Sequence, residues 1–181
     1  KNDYIAANQI TIRNLDRERR FDVVLYVNGM PLAIIELKQS GSTATVENAF
    51  NQLRTYVEEF PMAFRFANIV VASDGIDAIY GTPFTPREHM STWRVDDDGE
   101  PFEQGPLVVV NGEQMTEFDM LMWGLFNVER FGQIFVDFTA FDEIDGELRM
   151  RASKPHQYFA VTKAAGRTIQ AARSDKKAGV V

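Results

Sequence analysis

The stretch RFDVVLYVNGMPLAIIELK, Arg20 to Lys38, decides how this chain is read. Val23 to Val27 and Leu32 to Leu37 are rich in Val, Ile and Leu, as strands covered on both faces tend to be. Asn28-Gly29 between them is the strongest short-range hairpin signal. Three charges interrupt this apolar hairpin: Asp22 at its start, and Glu36 and Lys38 at its end. Side chains alternate along a strand, so Glu36 and Lys38 share a face. The plain reading makes them a solvated pair on an edge strand. Yet a carboxylate closing such an apolar run is costly to desolvate unless it is paired or holds a metal.

Register decides whether Asp22 joins them. A two-residue turn pairs Val27 with Met30 and sets Asp22 opposite Ile35, on the wrong face. A three-residue loop or a bulge shifts the pairing by one and brings Asp22 onto the Glu36 face. The sequence therefore predicts a hairpin that is not a plain two-residue one, or a bend at Asp22. Two carboxylates on one face beside a lysine suit a divalent cation. Mg²⁺ takes one or two carboxylates and completes its octahedron with water and phosphate oxygens. Such an ion activates water and stabilises charge developing at phosphorus. A neighbouring lysine can orient or deprotonate the water, or neutralise the phosphoryl oxygens.

Working outward, Tyr4 to Asn14 partly alternates and predicts a strand, and DRERR is a charged turn. Thr45 is a good N-cap for a helix with the apolar stripe Ala49, Phe50, Leu53, Val57 and Phe60. Asn48, not Glu or Gln, stands three residues on, so a full capping box is not expected. Pro61 stops that helix. Asn68 to Ser73 reads as a buried strand, and IDAIYGT as the next. Residues 94–114 read as an acidic loop, Phe118 to Phe138 as one helical stretch, DEIDGELRMRASKP as a turn-rich joint, and HQYFAVTKAAGRTIQAA as a last helix. The apolar run after Gly179 resembles a strand just beginning. The order is that of an α/β mixture.

Composition bounds the rest. The chain has 181 residues, enough for one ordinary core. It lacks cysteine, which excludes disulfides and thiolate metal sites and suits a cytosolic protein. Two histidines, His89 and His156, are too few for a multi-histidine zinc site. No apolar run has membrane-spanning length. The net charge of −7 means that any grip on DNA is local or lent by a partner.

Asp22 followed by Glu36-Leu37-Lys38 resembles the PD-(D/E)-x-K nuclease motif, with Phe21 where the motif has proline. Gln52 and Tyr56, four apart on one helical face, resemble the Q-x-x-x-Y motif of type I restriction subunits and of RecB-like nucleases. Without that resemblance they read as ordinary exposed helix residues. The phrases VLYVNGMPLAIIELK, NAFNQLRTY, VVASDG, LMWGLFN and HQYFAVTKA together look like the N-terminal part of a type I restriction (R) subunit, over nearly the whole chain.

That resemblance implies a restriction-endonuclease-like α/β core, with a central mixed sheet flanked by helices. It implies an endonuclease domain over residues 1–150 and the start of a helicase-type motor over 151–181. Asp22, Glu36 and the Leu37 backbone carbonyl would hold Mg²⁺ or Mn²⁺, and Lys38 would be the catalytic lysine. Gln52 and Tyr56 would support the site or touch DNA. Gln157 would read the adenine of ATP in a longer parent, which is expected to extend beyond both ends. No G-x-x-x-x-G-K-[ST] occurs, so this piece is expected to lack ATPase activity. Similar proteins cut double-stranded DNA non-specifically after ATP-driven translocation, with methyltransferase and specificity subunits, in the prokaryotic cytoplasm. The alternatives are a RecB-like repair nuclease and a catalytically silent nuclease-fold assembly module.

The other conspicuous residues have blander readings. His156 reads as a capping or surface residue, VDDDGE as a solvated loop, and Trp93 as packed rather than stacked on a base. Arg13, Arg17, Arg19 and Arg20 either contact phosphates near Asp22 or face solvent opposite Asp16 and Glu18, the latter favoured.

Overall fold

The computed structural model describes residues 1–39, 45–103, 105, 107–110, 112–144 and 146–174, with the backbone alone at Ile144, Glu147 and Leu148. The strand expected after Gly179 lies outside the described residues. Strands β1 (Tyr4–Asn14), β2 (Arg17–Val27), β3 (Met30–Leu37), β4 (Ile69–Ser73) and β5 (Ala78–Gly81) form one mixed sheet in that order. Every neighbouring pair is antiparallel except β3 and β4, which run parallel. The parallel step is made by helix α1 (Val46–Glu59), because parallel neighbours need a crossover.

The sheet is covered on both faces, as the unbroken apolar runs of β3 and β4 require. On one side, Ala49, Phe50, Leu53, Tyr56 and Phe60 pack on Phe21, Val24, Ile34, Val70 and Ala72. On the other, Leu32, Ile35, Ile69, Val71 and Tyr80 meet Trp93 and residues of α2 (Glu117–Gly124), α3 (Val128–Asp137) and α4 (Pro155–Arg173). An α/β core with helices flanking a mixed sheet is thus what the chain forms.

Several local expectations are corrected. Asn48 does for α1 what Glu or Gln does in a capping box: its Oδ1 accepts the Thr45 N–H at 2.8 Å. The stretch Phe118 to Phe138 is two helices, not one. Asn127 interrupts it, its Oδ1 accepting the N–H groups of Glu129 and Arg130 at 3.1 and 3.2 Å and capping α3. The acidic segment contains a small hairpin, β6 (Val108–Val110) with β7 (Glu113–Met115). The supposed joint is also a hairpin, β8 (Thr139–Ile144) with β9 (Glu147–Ala152). Its Asp145-Gly146 was a hairpin signal passed over, and Gly146 has the positive φ, 78°, that such turns demand.

Trp93 is fully buried, between Tyr80, Tyr158 and Phe159. The VDDDGE segment is a turn held by Asp96, whose Oδ1 accepts the N–H groups of Asp98 and Glu100.

Candidate functional site

The hairpin of β2 and β3 builds the site, and it departs from a plain hairpin in two ways. Its turn is two residues long, with Asn28 at φ 53° and Gly29 at φ 79°. Val27 pairs with Met30 and Tyr26 with Pro31, but Leu25 then pairs with Ala33. Leu32 is the extra residue of a bulge. Pro31 explains it: a proline in a central strand gives no N–H to the ladder and is tolerated at bulges. Beyond the bulge Val23 faces Ile35, and the same register carries Asp22 to the level of Glu36.

The second departure lies across the β1–β2 pairing. Gln9, at φ 53°, sits between the pairs Asn8 with Val23 and Ile10 with Phe21. Phe21 and Val24 both enter the α1-side core although they are three apart, which regular alternation forbids. The alternation of faces therefore slips by one residue between Phe21 and Val24. Of the two alternatives raised by the register problem, the bulge is present; Asp22 lies within β2 and not on a bend at its start.

Three elements now converge. The Leu37 N–H donates to Asp22 Oδ2 at 2.9 Å, tying the middle of β2 to the end of β3. Lys38 Nζ donates to Glu36 Oε1 at 2.9 Å and also to Gln52 Oε1 on α1. Gln52 Nε2 donates in turn to the Tyr56 hydroxyl. The Tyr56 ring lies against Phe21, with centroids 5.0 Å apart. Lys38 itself is anchored by its N–H, which donates to the Ser73 carbonyl of β4 at 2.8 Å. Asp22, Glu36, Lys38, Gln52 and Tyr56 thus occupy one continuous patch.

Glu36 is the most constrained member. It is 1 % exposed, yet its Oε2 has no hydrogen-bond partner among the described residues. Burial pushes its carboxyl up to about 7, opposed by the Lys38 hydrogen bond and reinforced by the Asp22 charge. The Tyr56 hydroxyl is also pushed up, first by burial, against the Gln52 hydrogen bond, with the Glu36 charge adding. An orphaned buried carboxylate oxygen is a cost the fold carries. It is also a free oxygen ligand beside a second carboxylate, and the pair fits a hard divalent cation. Among the described residues no group of three or more His, Cys, Asp or Glu could hold a metal.

The remaining residues read from the sequence lie elsewhere. Gln157 is in the first turn of α4 and outside the hydrogen-bonded patch; its Oε1 accepts the Lys154 N–H at 2.9 Å. His156 is exposed. Arg17 and Arg19 pair with Glu59 at 3.1 and 3.0 Å, and Arg13 pairs with Glu18. Sequence reasoning passed over Pro31, which marks the bulge, and Ser73, whose carbonyl fixes Lys38. Pro31 was the readable signal; Ser73 had none, since its role depends on the parallel pairing of β3 with β4.

Comparison with known proteins shows what the chain is similar to. The family described as type I restriction enzyme R protein N terminus matches residues 1–89, which contain all five clustered residues. The chain is 31% identical over 196 aligned residues to the type I restriction enzyme MjaIXP endonuclease subunit of Methanocaldococcus jannaschii, covering 100% of this chain and 18% of that one. It is 30% identical over 185 residues to the HindI endonuclease subunit of Haemophilus influenzae, covering 99% and 17%. A 37% match to the EcoprrI endonuclease subunit of Escherichia coli spans 76 residues, 40% of this chain and 24% of that one. The chain thus spans under a fifth of the length of the first two relatives.

Proposed function

The chain belongs, through residues 1–89, to the type I restriction enzyme R protein N-terminal family, and on that premise we propose that Asp22, Glu36 and Lys38 form a Mg²⁺-dependent DNA endonuclease centre. The observation that carries this reading is Glu36: a buried carboxylate with one oxygen on Lys38 and the other free, beside Asp22.

Asp22 and Glu36 would hold Mg²⁺ or Mn²⁺, with the Leu37 carbonyl a further ligand. The ion supplies Lewis-acid activation of water and charge neutralisation at phosphorus. Glu36 must be ionised to take part, and Lys38 favours that form. Lys38 orients the attacking water or neutralises a phosphoryl oxygen. Gln52 holds the ammonium from the α1 side, and Tyr56 holds Gln52. In this reading Gln52 and Tyr56 position Lys38.

The substrate we propose is double-stranded DNA, cut without sequence preference. In the longer subunit, cutting follows ATP-driven translocation by a motor that begins near residue 151, with Gln157 reading adenine. Methyltransferase and specificity subunits complete the assembly, and the setting is the prokaryotic cytoplasm. No helix among the described residues is long and apolar enough to cross a membrane.

Calorimetric titration with Mg²⁺ or Mn²⁺ tests the centre. Wild type binds; Asp22→Ala and Glu36→Ala, folded by circular dichroism, do not. Binding that survives both substitutions would sink the proposal. If wild type does not bind the ion, with or without a short duplex, the silent assembly module becomes the better reading.

A further inference from the structure

Helix α3 is apolar on its solvent side as well as on its core side. Phe131 and Ile134 lie on the arc that joins the core around Trp93. At about 100° per residue, Val128, Gly132, Phe135 and Val136 fill the next arc, about 100° wide. The two arcs are continuous, so about 200° of the helix is apolar, roughly twice what a helix lying on one core needs. Val128 is 50% exposed, Phe135 37% and Val136 72%.

Gly132 stands in the middle of the exposed stripe. A glycine inside a helix costs stability relative to alanine, because it surrenders more chain freedom on folding. A Cβ at Gly132 would meet nothing within 4 Å. The fold of the chain itself therefore has no use for the missing methyl. A second backbone packing on the stripe does, since glycine removes the atom that would hold it off.

The size of the stripe decides what kind of partner fits. Helix α3 has 10 residues. The stripe is therefore about 15 Å long and about 10 Å wide. That is well under the ~800 Å² per partner that separate molecules bury in a stable association. A second copy would also bring its own charge of −7 against the first. A tethered segment needs far less area, because its effective concentration is already high. This chain covers 18% and 17% of the first two relatives, so more than four fifths of a subunit of that size lies outside it. The free charges of α3 are acidic, Glu129 and Asp137, because Arg130 is held by Asp97 at 2.7 Å. The segment that complements them carries Lys or Arg beside its apolar side.

We infer that the Val128–Val136 face of α3 seats a helix from the rest of the longer subunit, apolar on the side that packs over Gly132 and basic at its flank. The seat belongs to the core on the sheet face opposite α1, so docking there leaves Asp22, Glu36 and Lys38 open. The assignment rests on the reading of this chain as part of a longer subunit, and not on the metal centre.

The chain has no cysteine, so a single introduced thiol reports on this face. Val136→Cys reacts with a maleimide as an open thiol in the chain alone and about tenfold more slowly in the full-length subunit, read on the digested peptide by mass spectrometry. Arg13→Cys, on β1, reacts equally in both. Gly132→Ala acts oppositely on fold and docking. It raises the melting temperature of the chain alone, and in the full-length subunit it speeds labelling at position 136 several-fold. Mg²⁺ titration of Gly132→Ala matches wild type, so failure here and failure of the metal centre are told apart. Equal labelling of Val136→Cys in the two proteins overturns the inference. A melting temperature lowered by Gly132→Ala also overturns it, since the glycine then serves α3 itself. So does a dimer of the chain alone in sedimentation that Val136→Asp disperses, which assigns the face to a second copy.

Discussion

Glu36 is the most constrained side chain of the candidate site. Its folded-state carboxyl titrates near 7, above the ordinary value of 4.5, because burial penalises the anion. The folded protein therefore keeps a proton there that the unfolded chain has lost between those values. That contribution to stability is fully present below about pH 4.5 and is lost as pH rises through about 7. Urea unfolding in EDTA should show wild type losing stability over this range, and Glu36→Gln should flatten the loss. A Glu36→Gln variant as pH-dependent as wild type would remove Glu36 as the cause. On the reading proposed above, Mg²⁺ would work against the same proton, since it requires the anion. Lys38→Met should abolish cleavage while leaving Mg²⁺ binding measurable; loss of both would make Lys38 a structural partner of Glu36 instead.

At the scale of elements, the β2–β3 hairpin shows how a local rule and its exception cooperate. Asn28-Gly29 forms the tight turn its sequence announces, with both residues at positive φ. A Cβ at Gly29 would meet nothing within 4 Å, so Gly29→Ala tests backbone strain alone and should cost about 1 kcal/mol in chemical denaturation. No loss would mean the turn relaxes to another type. The break between α2 and α3 is set by Asn127, which caps α3. A Cβ on Gly124 would lie 2.1 Å from Trp93 Nε1, so Gly124→Ala should destabilise by about 1–3 kcal/mol. An unchanged melting temperature would show that α2 shifts freely over Trp93.

Over the whole molecule, two cores lie on opposite faces of one sheet, and the candidate site sits on the α1 side. The other side is locked by Trp93, against which Tyr158 and Phe159 of α4 pack. Arg130 lies over all three rings, 5.3 to 5.9 Å from their centroids. Phe159→Ala should lower global stability by about 3–5 kcal/mol, read as a shifted urea midpoint monitored by Trp fluorescence. Unfolding of α4 alone, with the sheet unaffected, would contradict that coupling. The first turn of α4 is therefore built into the fold that carries the site, wherever a motor domain begins.

The apolar parts of the strands, the helix after Thr45 and the carboxylate–lysine pairing were legible because each rests on short-range pattern; DRERR, expected to be a turn, instead gives Arg17–Arg20 to β2, where they pair with β1. Even the need for a bulge or bend at Asp22 could be worked out by counting register. The two small hairpins and the Asn127 break were misread because weak local signals were outweighed by apolar spacing and acidic composition. The union of Lys38 with Gln52 across fourteen residues, the Ser73 carbonyl under the Lys38 amide and the orphaned Glu36 oxygen were not legible. The sequence by itself determined which residues could do chemistry and which elements carry them. Only the tertiary structure decided that α1 crosses over the end of β3, because long-range packing, and no local preference, sets which buried carboxylate meets which cation and which oxygen is left for a metal.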